Sequence, residues 1–302
     1  MHYKRRRLLL AGASLAACGT NSIRMPAYAQ AGPLLRKMIP SSGEEIPIVG
    51  LGTARRYESA AGELRETLQR FGALGATVID TAPVYGQAEA VVGDLLEQLS
   101  LRPRLFLATK VSTSGREAGV QQIEQSFKRL RTRKVDLIAV HNLRDTQTHL
   151  QTLRELKEQG RIRYVGITTS SDRQYGEFED TMRRQALDFI QVDYALDNRG
   201  ADERILPLAA ERAMAVMINL PFGRGRLFDA VRGKPLPPWA SELDCRSWPQ
   251  FFLKYIVSHP AVTCAVPGMA RPQYVEDNLG AARGRLPDPA MRRRMERFID
   301  GI

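Results

Sequence analysis

The sequence has few residues that bind metals or form cross-links, with three cysteines and four histidines among 302 residues. No cysteines and histidines show the short spacing of a zinc site, so the chain lacks the signature of a metal protein. Cys264 lies within the apolar run AVTCAV, where we expect a small buried side chain. The sequence leaves open whether Cys264 pairs with Cys245, because it does not place the two sulfurs.

The chain also lacks an apolar run long enough to span a membrane near its N-terminus, where the stretch at residues 8–18 is too short. That stretch follows a basic head at residues 4–7 and precedes the small-residue site Ala27-Tyr28-Ala29, the layout of an export signal. Paired arginines followed by leucines resemble a twin-arginine signal, which addresses folded proteins for export. We therefore predict a signal peptide over residues 1–29, recognition by the twin-arginine export machinery, and a periplasmic or exported domain over residues 30–302.

Two cleavage positions compete within this leader. Leu15-Ala16-Ala17-Cys18 resembles a lipoprotein cleavage box, which would leave a lipid anchor on Cys18. Cleavage after Ala29 would release a soluble protein instead, and we favour this second prediction. A basic amphipathic tail is a third interpretation, but residues 8–18 contain no charged side chain.

The positive charge of the chain gives little support to a nucleic-acid partner. The formal net charge is +11, and removal of the five basic residues in the leader leaves 39 basic and 33 acidic groups, or +6. The cluster Arg292-Arg293-Arg294 has no interleaved aromatic residues and lies among helix-spaced apolar positions. We interpret it as a solvated helix face and predict no nucleic-acid binding.

Short apolar runs recur along the rest of the chain and end near positions 80, 110, 141, 168, 193, 219 and 267. Helix-spaced segments separate them, which indicates βαβ units and a parallel sheet. With IVGLGT as the first run there are eight strands, the number that closes a (β/α)8 TIM barrel of the α/β class. KMIPSSGEEIP predicts an N-terminal β-hairpin, and the wide gap before 267 predicts a structured insertion over about residues 220–246. A doubly wound sheet is the alternative, but no Gly-x-Gly-x-x-Gly turn follows the first run.

Polar side chains stand where three of these runs end. Asp80 ends the second, Lys110 the third and His141 the fourth, while Tyr85 follows shortly after Asp80 and Pro83. The carboxyl ends of barrel strands meet at one mouth, so we expect all four side chains to converge there. This set suits proton donation to a carbonyl oxygen. An ammonium held by a carboxylate would lower the pKa of a nearby phenol, and a histidine would hydrogen-bond the substrate oxygen.

The chain resembles an aldo-keto reductase over nearly its whole length after the leader. The motifs GLGT, DTAPVYG, ATK, VHN, VGIT, QVDY, PFGRG and VPG…EDN occur in the order typical of that family. The resemblance implies a catalytic tetrad of Asp80, Tyr85, Lys110 and His141. It also implies a nicotinamide cofactor, usually NADP with NAD possible, and an aldehyde or ketone as the small-molecule substrate.

Loops after the last two strands are expected to hold the cofactor, because barrels often bind phosphate there. LPFGRGRLF offers glycines and arginines, and PGMARPQYVEDN offers a helix N-terminus with a proline in its first turn. The resemblance implies that Gly52 and Thr53 border the nicotinamide and that Gln191 hydrogen-bonds its carboxamide. It also implies that Asp277 and Asn278 contact the adenine. The predicted cofactor-binding residues are Gly52, Thr53, Thr168, Thr169, Gln191, Asn219, Leu220, Phe222, Gly223, Arg224, Gly268, Arg271, Asp277 and Asn278.

Three positions depart from the common family pattern. A Ser-Asn pair is replaced by Thr168-Thr169, a stacking tyrosine by Asn219, and an arginine near the 2′-phosphate by Tyr274. Arg271 is a candidate substitute for that arginine. The choice between NADP and NAD is therefore left open by the resemblance.

Other interpretations remain beside a carbonyl reductase. The missing stacking ring allows a nicotinamide-binding sensor barrel with negligible turnover. A lyase could use Lys110 as a Schiff-base nucleophile, although Asp80 should keep that lysine protonated. Arg55-Arg56-Tyr57 could line the mouth and favour an acidic or polyol carbonyl substrate, or could be solvated loop residues. Trp239 and Trp248 could form a wall of the substrate pocket or attach the insertion to the barrel.

Overall fold

The computed structural model describes residues 32–55, 57 and 62–302. The predicted signal peptide, its cleavage sites and Arg56 lie outside these residues. Among the helices that the model describes, none is long and apolar enough to cross a membrane.

Eight parallel strands form one sheet in sequential order, which confirms the predicted barrel. A two-stranded antiparallel hairpin, β1 (Arg36–Met38) and β2 (Glu45–Pro47), precedes them as expected. The barrel strands are β3 (Leu51–Gly52), β4 (Val78–Asp80), β5 (Phe106–Val111), β6 (Val135–His141), β7 (Ile162–Thr168), β8 (Phe189–Asp193), β9 (Ala215–Asn219) and β10 (Cys264–Ala265). The helices are α1 (Gly62–Ala73), α2 (Ala88–Gln98), α3 (Arg116–Arg129), α4 (Thr146–Glu158), α5 (Tyr175–Arg184), α6 (Ala201–Glu211), α7 (Arg226–Ala230), α8 (Trp248–Val257), α9 (Pro272–Gly280) and α10 (Pro289–Asp300).

The sheet closes on itself at a seam between its first and last strands. The Gly50 amide donates to Ala265 O and the Gly52 amide to Pro267 O, both at 2.9 Å. A bridge also joins Gly52 to Gly268. A Cβ atom at position 52 would lie 2.6 Å from Val266 O, so only glycine permits this approach.

Inward-facing side chains recur at every second residue of the strands and fill the barrel in layers. Ile39 and Ile46 of the hairpin fill the layers at the end of the barrel opposite the mouth. They contact a buried cluster formed by Val78, Phe106, Ala108, Leu137, Tyr164, Phe189, Ala215, Met217, Cys264 and Val266. The same alternation, continued towards the strand ends, brings polar residues to the inside: Asp80, Lys110, His141, Thr168, Gln191 and Asn219.

The predicted insertion after β9 is structured, with short 3-10 turns on either side of α7 and α8 close behind. Trp248 stacks on Phe252 with ring centroids 5.6 Å apart, and its Nε1 donates to Lys234 O at 3.0 Å. Trp239 packs 5.5 Å from the Phe251 ring. Of the two roles considered for these tryptophans, the structure supports attachment of the insertion to the barrel.

The local sequence explains where helix α8 begins. Ser247 lies at its N-cap, and the Ser247 hydroxyl accepts a hydrogen bond from the Gln250 amide. Pro249 lies within the first turn, where its missing N–H costs no hydrogen bond. Helix α10 repeats the arrangement with Asp288 as its cap and Pro289 in its first turn.

Candidate active site

A buried ion pair lies at the mouth of the barrel. Lys110 Nζ is 2.8 and 2.9 Å from the two carboxylate oxygens of Asp80 and donates a third bond to Thr81 O at 2.8 Å. The two side chains are only 2% and 8% exposed. Burial alone would lower the pKa of Lys110, but the charges of Asp80 and then Tyr85 outweigh it, so the pKa is raised. Lys110 is therefore an ammonium, which argues against a Schiff-base lyase because that chemistry needs a neutral amine.

Tyr85 reaches this pair from a turn that follows β4. The turn is closed by the Tyr85 amide, which donates to Ala82 O at 3.1 Å. Lys110 Nζ lies 5.1 Å from the centroid of the Tyr85 ring. Burial raises the pKa of the phenol, and although Lys110 acts in the opposite direction, the net pKa is above its ordinary value. The expected lowering by Lys110 is thus overcome by desolvation, and the phenol keeps its proton at neutral pH.

His141 completes the predicted set. Its ring lies edge-on to Tyr85, with centroids 6.0 Å apart. Burial, followed by the charge of Lys110, lowers the pKa of His141 to about 4. The imidazole is therefore neutral above that pH. Its Nδ1 lies 3.3 Å from Ser112 Oγ, a contact between two strand ends that the sequence does not reveal.

A cleft of about 450 Å3 opens beside these side chains, within the range of small-molecule sites. Asp80, Tyr85 and His141 form part of its wall, while Lys110 lies beneath them. Nine of the predicted cofactor residues also line it: Gly52, Thr53, Thr168, Gln191, Asn219, Leu220, Phe222, Arg224 and Gly268.

The other predicted cofactor residues lie outside the cleft wall. Thr169 follows an inward-facing residue and so points outward, where its hydroxyl donates to Gln174 Oε1 at 2.7 Å. Gly223 lies against the carboxylate of Asp197. Arg271 Nε lies 3.6 Å from Glu63 Oε2 at the start of α9. Thr169, Gly223, Arg271, Asp277 and Asn278 are therefore not among the residues that line the cleft, and their roles stay predictions.

Asp277 is already engaged by other side chains. Its Oδ1 accepts hydrogen bonds from Ser247 Oγ at 2.6 Å and from Gln250 Nε2 at 2.9 Å. The neighbouring Asn278 is buried. Asp277 therefore ties α9 to the start of α8, a structural role that the sequence did not reveal because these partners are about 30 residues away.

Several lining residues are outside both the predicted tetrad and the predicted set of cofactor-binding residues. They are Ala54, Arg55, Asn142, Ser170, Pro221, Gly225, Phe228 and Val266. Most of these residues directly follow a predicted strand-end or loop residue, so the prediction missed them by one position. Of the segment Arg55-Arg56-Tyr57, Arg55 does line the cleft. Tyr57 does not, because it is fully buried and its hydroxyl donates to Met269 O at 3.0 Å.

The described residues contain no group of three or more histidine, cysteine, aspartate or glutamate side chains that could hold a metal ion. Cys245 and Cys264 are both free and buried. Burial raises the pKa of the Cys245 thiol to about 11, so it is not a reactive thiolate.

A parallel barrel with a neutral phenol and imidazole above a buried ion pair defines an acid–base enzyme of the (β/α)8 class. The Aldo/keto reductase family model matches residues 48–296. The chain therefore belongs to the aldo/keto reductase family.

Relatives and solved structures agree with this assignment. Aldo-keto reductase YhdN of Bacillus subtilis (strain 168) is 31% identical over 210 residues, which cover 63% of this chain and 62% of that protein. Methylglyoxal reductase YeaE of Escherichia coli (strain K12) is 31% identical over 254 residues, covering 80% and 88%. The crystal structure of an aldo/keto reductase from Klebsiella pneumoniae in complex with NADP and acetate superposes with a TM-score of 0.72 at 27% identity, covering 88% and 96% of the two chains.

Proposed function

We propose that this protein reduces the carbonyl group of a small aldehyde or ketone with NADPH, and that Tyr85 is the general acid. The observation that carries the proposal is the buried Lys110–Asp80 pair, whose ammonium lies 5.1 Å from the Tyr85 ring at the wall of the cleft. The Klebsiella pneumoniae relative binds NADP, and the Escherichia coli relative is named for methylglyoxal reduction, which supports both halves of the proposal.

The residues around the cleft fit a nicotinamide cofactor. Gly52 and Gly268 line the cleft beside the seam, and Arg224 brings positive charge to the loop after β9. Gln191 Nε2 and Asn219 Oδ1 are buried polar atoms without partners among the described residues, as expected of groups that bind an amide. When bound, NADPH supplies the hydride that the carbonyl carbon receives.

The protein's own side chains carry out the proton transfer. Tyr85 donates its hydroxyl proton to the carbonyl oxygen as negative charge develops there. Lys110 stabilises the resulting phenolate, and the carboxylate of Asp80 holds the ammonium in place. The neutral imidazole of His141 donates an N–H to the same oxygen and orients the substrate.

Purified protein mixed with NADPH and a panel of small aldehydes and ketones should consume the reduced nicotinamide absorbance and form the corresponding alcohol. We expect a rate that is nearly constant from about pH 6 to pH 9. A general acid must carry its proton, and the pKa of Tyr85 is raised above the usual tyrosine value of about 10, so the rate should fall only at higher pH. Steady-state rates measured in buffers of constant ionic strength provide the test.

Two results would contradict this proposal. NADPH binding without turnover across the panel would favour the sensor barrel instead. A rate that falls between pH 6 and pH 8 would show that the acid is not a tyrosine with a raised pKa.

We also propose that residues 1–29 are a twin-arginine signal and that the barrel is exported to the periplasm, with release after Ala29 favoured over lipid attachment at Cys18. The support is the basic head, the short uncharged apolar stretch and the small-residue site of the sequence. An enzyme exported in the folded state could load its cofactor before crossing the membrane.

Replacing Arg5 and Arg6 together by lysine is expected to retain the protein in the cytoplasm, because the export machinery reads the paired arginines as an address. Cell fractionation with immunoblotting of the full chain measures this, and Arg24→Lys in the same leader is the matched control. Unchanged periplasmic recovery of the double variant would contradict the twin-arginine proposal. Mass spectrometry of the exported protein decides between cleavage after Ala29 and a lipidated Cys18.

A further inference from the structure

Two polar atoms of the cleft have no hydrogen-bond partner within the described part of the chain. They are Gln191 Nε2 and Asn219 Oδ1, and both are shielded from bulk solvent. Both residues line the cleft. A buried donor or acceptor without a partner lowers stability, so such atoms commonly mark a place where a ligand completes the bonding.

The barrel register places these two residues on the same inner face. Gln191 of β8 pairs with Met217 of β9, and Met217 points into the barrel core. Asn219 follows Met217 by two positions and so also faces inward, one step closer to the mouth. Two residues of a strand span roughly 7 Å, so the two amides lie at successive levels of adjacent strands.

The orientation of the Asn219 amide is set by one hydrogen bond. Its Nδ2 donates to Thr169 O at 2.9 Å. A carbonyl oxygen cannot bond to another acceptor, so the nitrogen must face Thr169 and the oxygen must face the other way. Asn219 thereby presents an acceptor, whereas the unpartnered atom of Gln191 is a donor. The hydroxyl of Thr169 is used by Gln174 and cannot take this role.

A primary carboxamide matches this pair, because it carries one acceptor oxygen and one donor NH2 group on the same carbon. We propose that Asn219 Oδ1 accepts a hydrogen bond from the NH2 group of the nicotinamide carboxamide. This contact adds to the one that the family resemblance already implies for Gln191, whose Nε2 is the donor available to the carboxamide oxygen. This inference rests on the proposed use of a nicotinamide cofactor. In this role, Asn219 Oδ1 favours a head group that carries an NH2 donor, as the carboxamide does.

The acetylpyridine analogue of NADP+ tests this assignment, because it keeps the carbonyl of the head group but replaces the NH2 by a methyl group. We expect the wild-type protein to bind NADP+ about tenfold more tightly than the analogue, the effect of one hydrogen bond. Asn219→Leu, a change of similar shape, should abolish this preference by raising the Kd for NADP+ while leaving the Kd for the analogue within about twofold. Isothermal titration calorimetry measures all four constants.

Gln191→Leu is the matched control, because both ligands keep the carbonyl that Gln191 is assigned to bind. It should raise both dissociation constants by a similar factor and preserve the preference for NADP+. Far-UV circular dichroism checks the folding of each variant. If Asn219→Leu does not fold, Asn219→Ala replaces it, with the same loss of preference expected.

The outcomes separate this inference from the function on which it rests. A wild-type protein that binds neither dinucleotide would overturn the proposed function and the inference together. Equal affinity of the wild-type protein for NADP+ and the analogue, or an undiminished preference in the folded Asn219 variant, would overturn the inference alone.

Discussion

Replacing Tyr85 by phenylalanine should lower kcat for carbonyl reduction by about a hundredfold to ten thousandfold, the usual contribution of a general acid. The ring and its contact with Lys110 are kept, and only the hydroxyl proton is removed. The Kd for NADPH should stay within about twofold of the wild-type value, because the phenol acts on the substrate oxygen. Single-turnover kinetics with excess enzyme and calorimetric binding of NADPH measure the two effects separately.

Tyr175→Phe is a suitable control for this experiment. Tyr175 is a partly buried tyrosine whose hydroxyl bonds to Asp193 at 3.2 Å, and it does not line the cleft. Its replacement should leave kcat within about twofold of the wild-type value, because the contacts that it removes, to the backbone and carboxylate oxygens of Asp193, lie away from the substrate. Comparable rates for Tyr85→Phe and the wild-type protein would exclude Tyr85 as the proton donor.

Replacing Lys110 by methionine should lower the free energy of unfolding by about 3–5 kcal/mol, because it leaves the carboxylate of Asp80 buried without its partner. The double variant Asp80→Asn, Lys110→Met should recover most of this loss, since it buries no isolated charge. Both variants should lack reductase activity. Urea denaturation at neutral pH, monitored by tryptophan fluorescence, gives the free energies.

An exposed ion pair provides the comparison for this result. Arg184 and Asp180 lie 3.6 Å apart with side chains 76% and 65% exposed, so Arg184→Met should change the stability little. If the double variant were as unstable as Lys110→Met, the loss would arise from the missing lysine packing or its bond to Thr81. The unpaired carboxylate would then not be the cause.

Much of the barrel could be predicted because its strands are buried on both faces and so read as apolar runs. The predicted run ends at 80, 141, 168, 193 and 219 are the observed last residues of β4, β6, β7, β8 and β9. A polar residue marks each of these ends, since there the strand leaves the core. The tetrad followed from the same reasoning, because parallel strands bring their carboxyl ends to one mouth.

What could not be predicted depends on depth of burial and on contacts between distant segments. The pKa of Tyr85 rises because desolvation outweighs the nearby ammonium, and a sequence does not give the degree of desolvation. Tyr57 was one candidate for the mouth, but it is buried and its hydroxyl donates to Met269 O, more than 200 residues away. Thr169 is different, because alternation along β7 already indicates that it points away from the cleft when Thr168 points inward.

The cleft and the fold depend on each other at the seam of the barrel. Only a few backbone hydrogen bonds join β3 to the segment around β10, and both strands are two residues long there. Gly52 and Gly268, on opposite sides of this junction, both contribute to the cleft. A molecule that contacts both glycines is expected to oppose separation of the two strands, so an occupied cleft should stabilise the closed barrel.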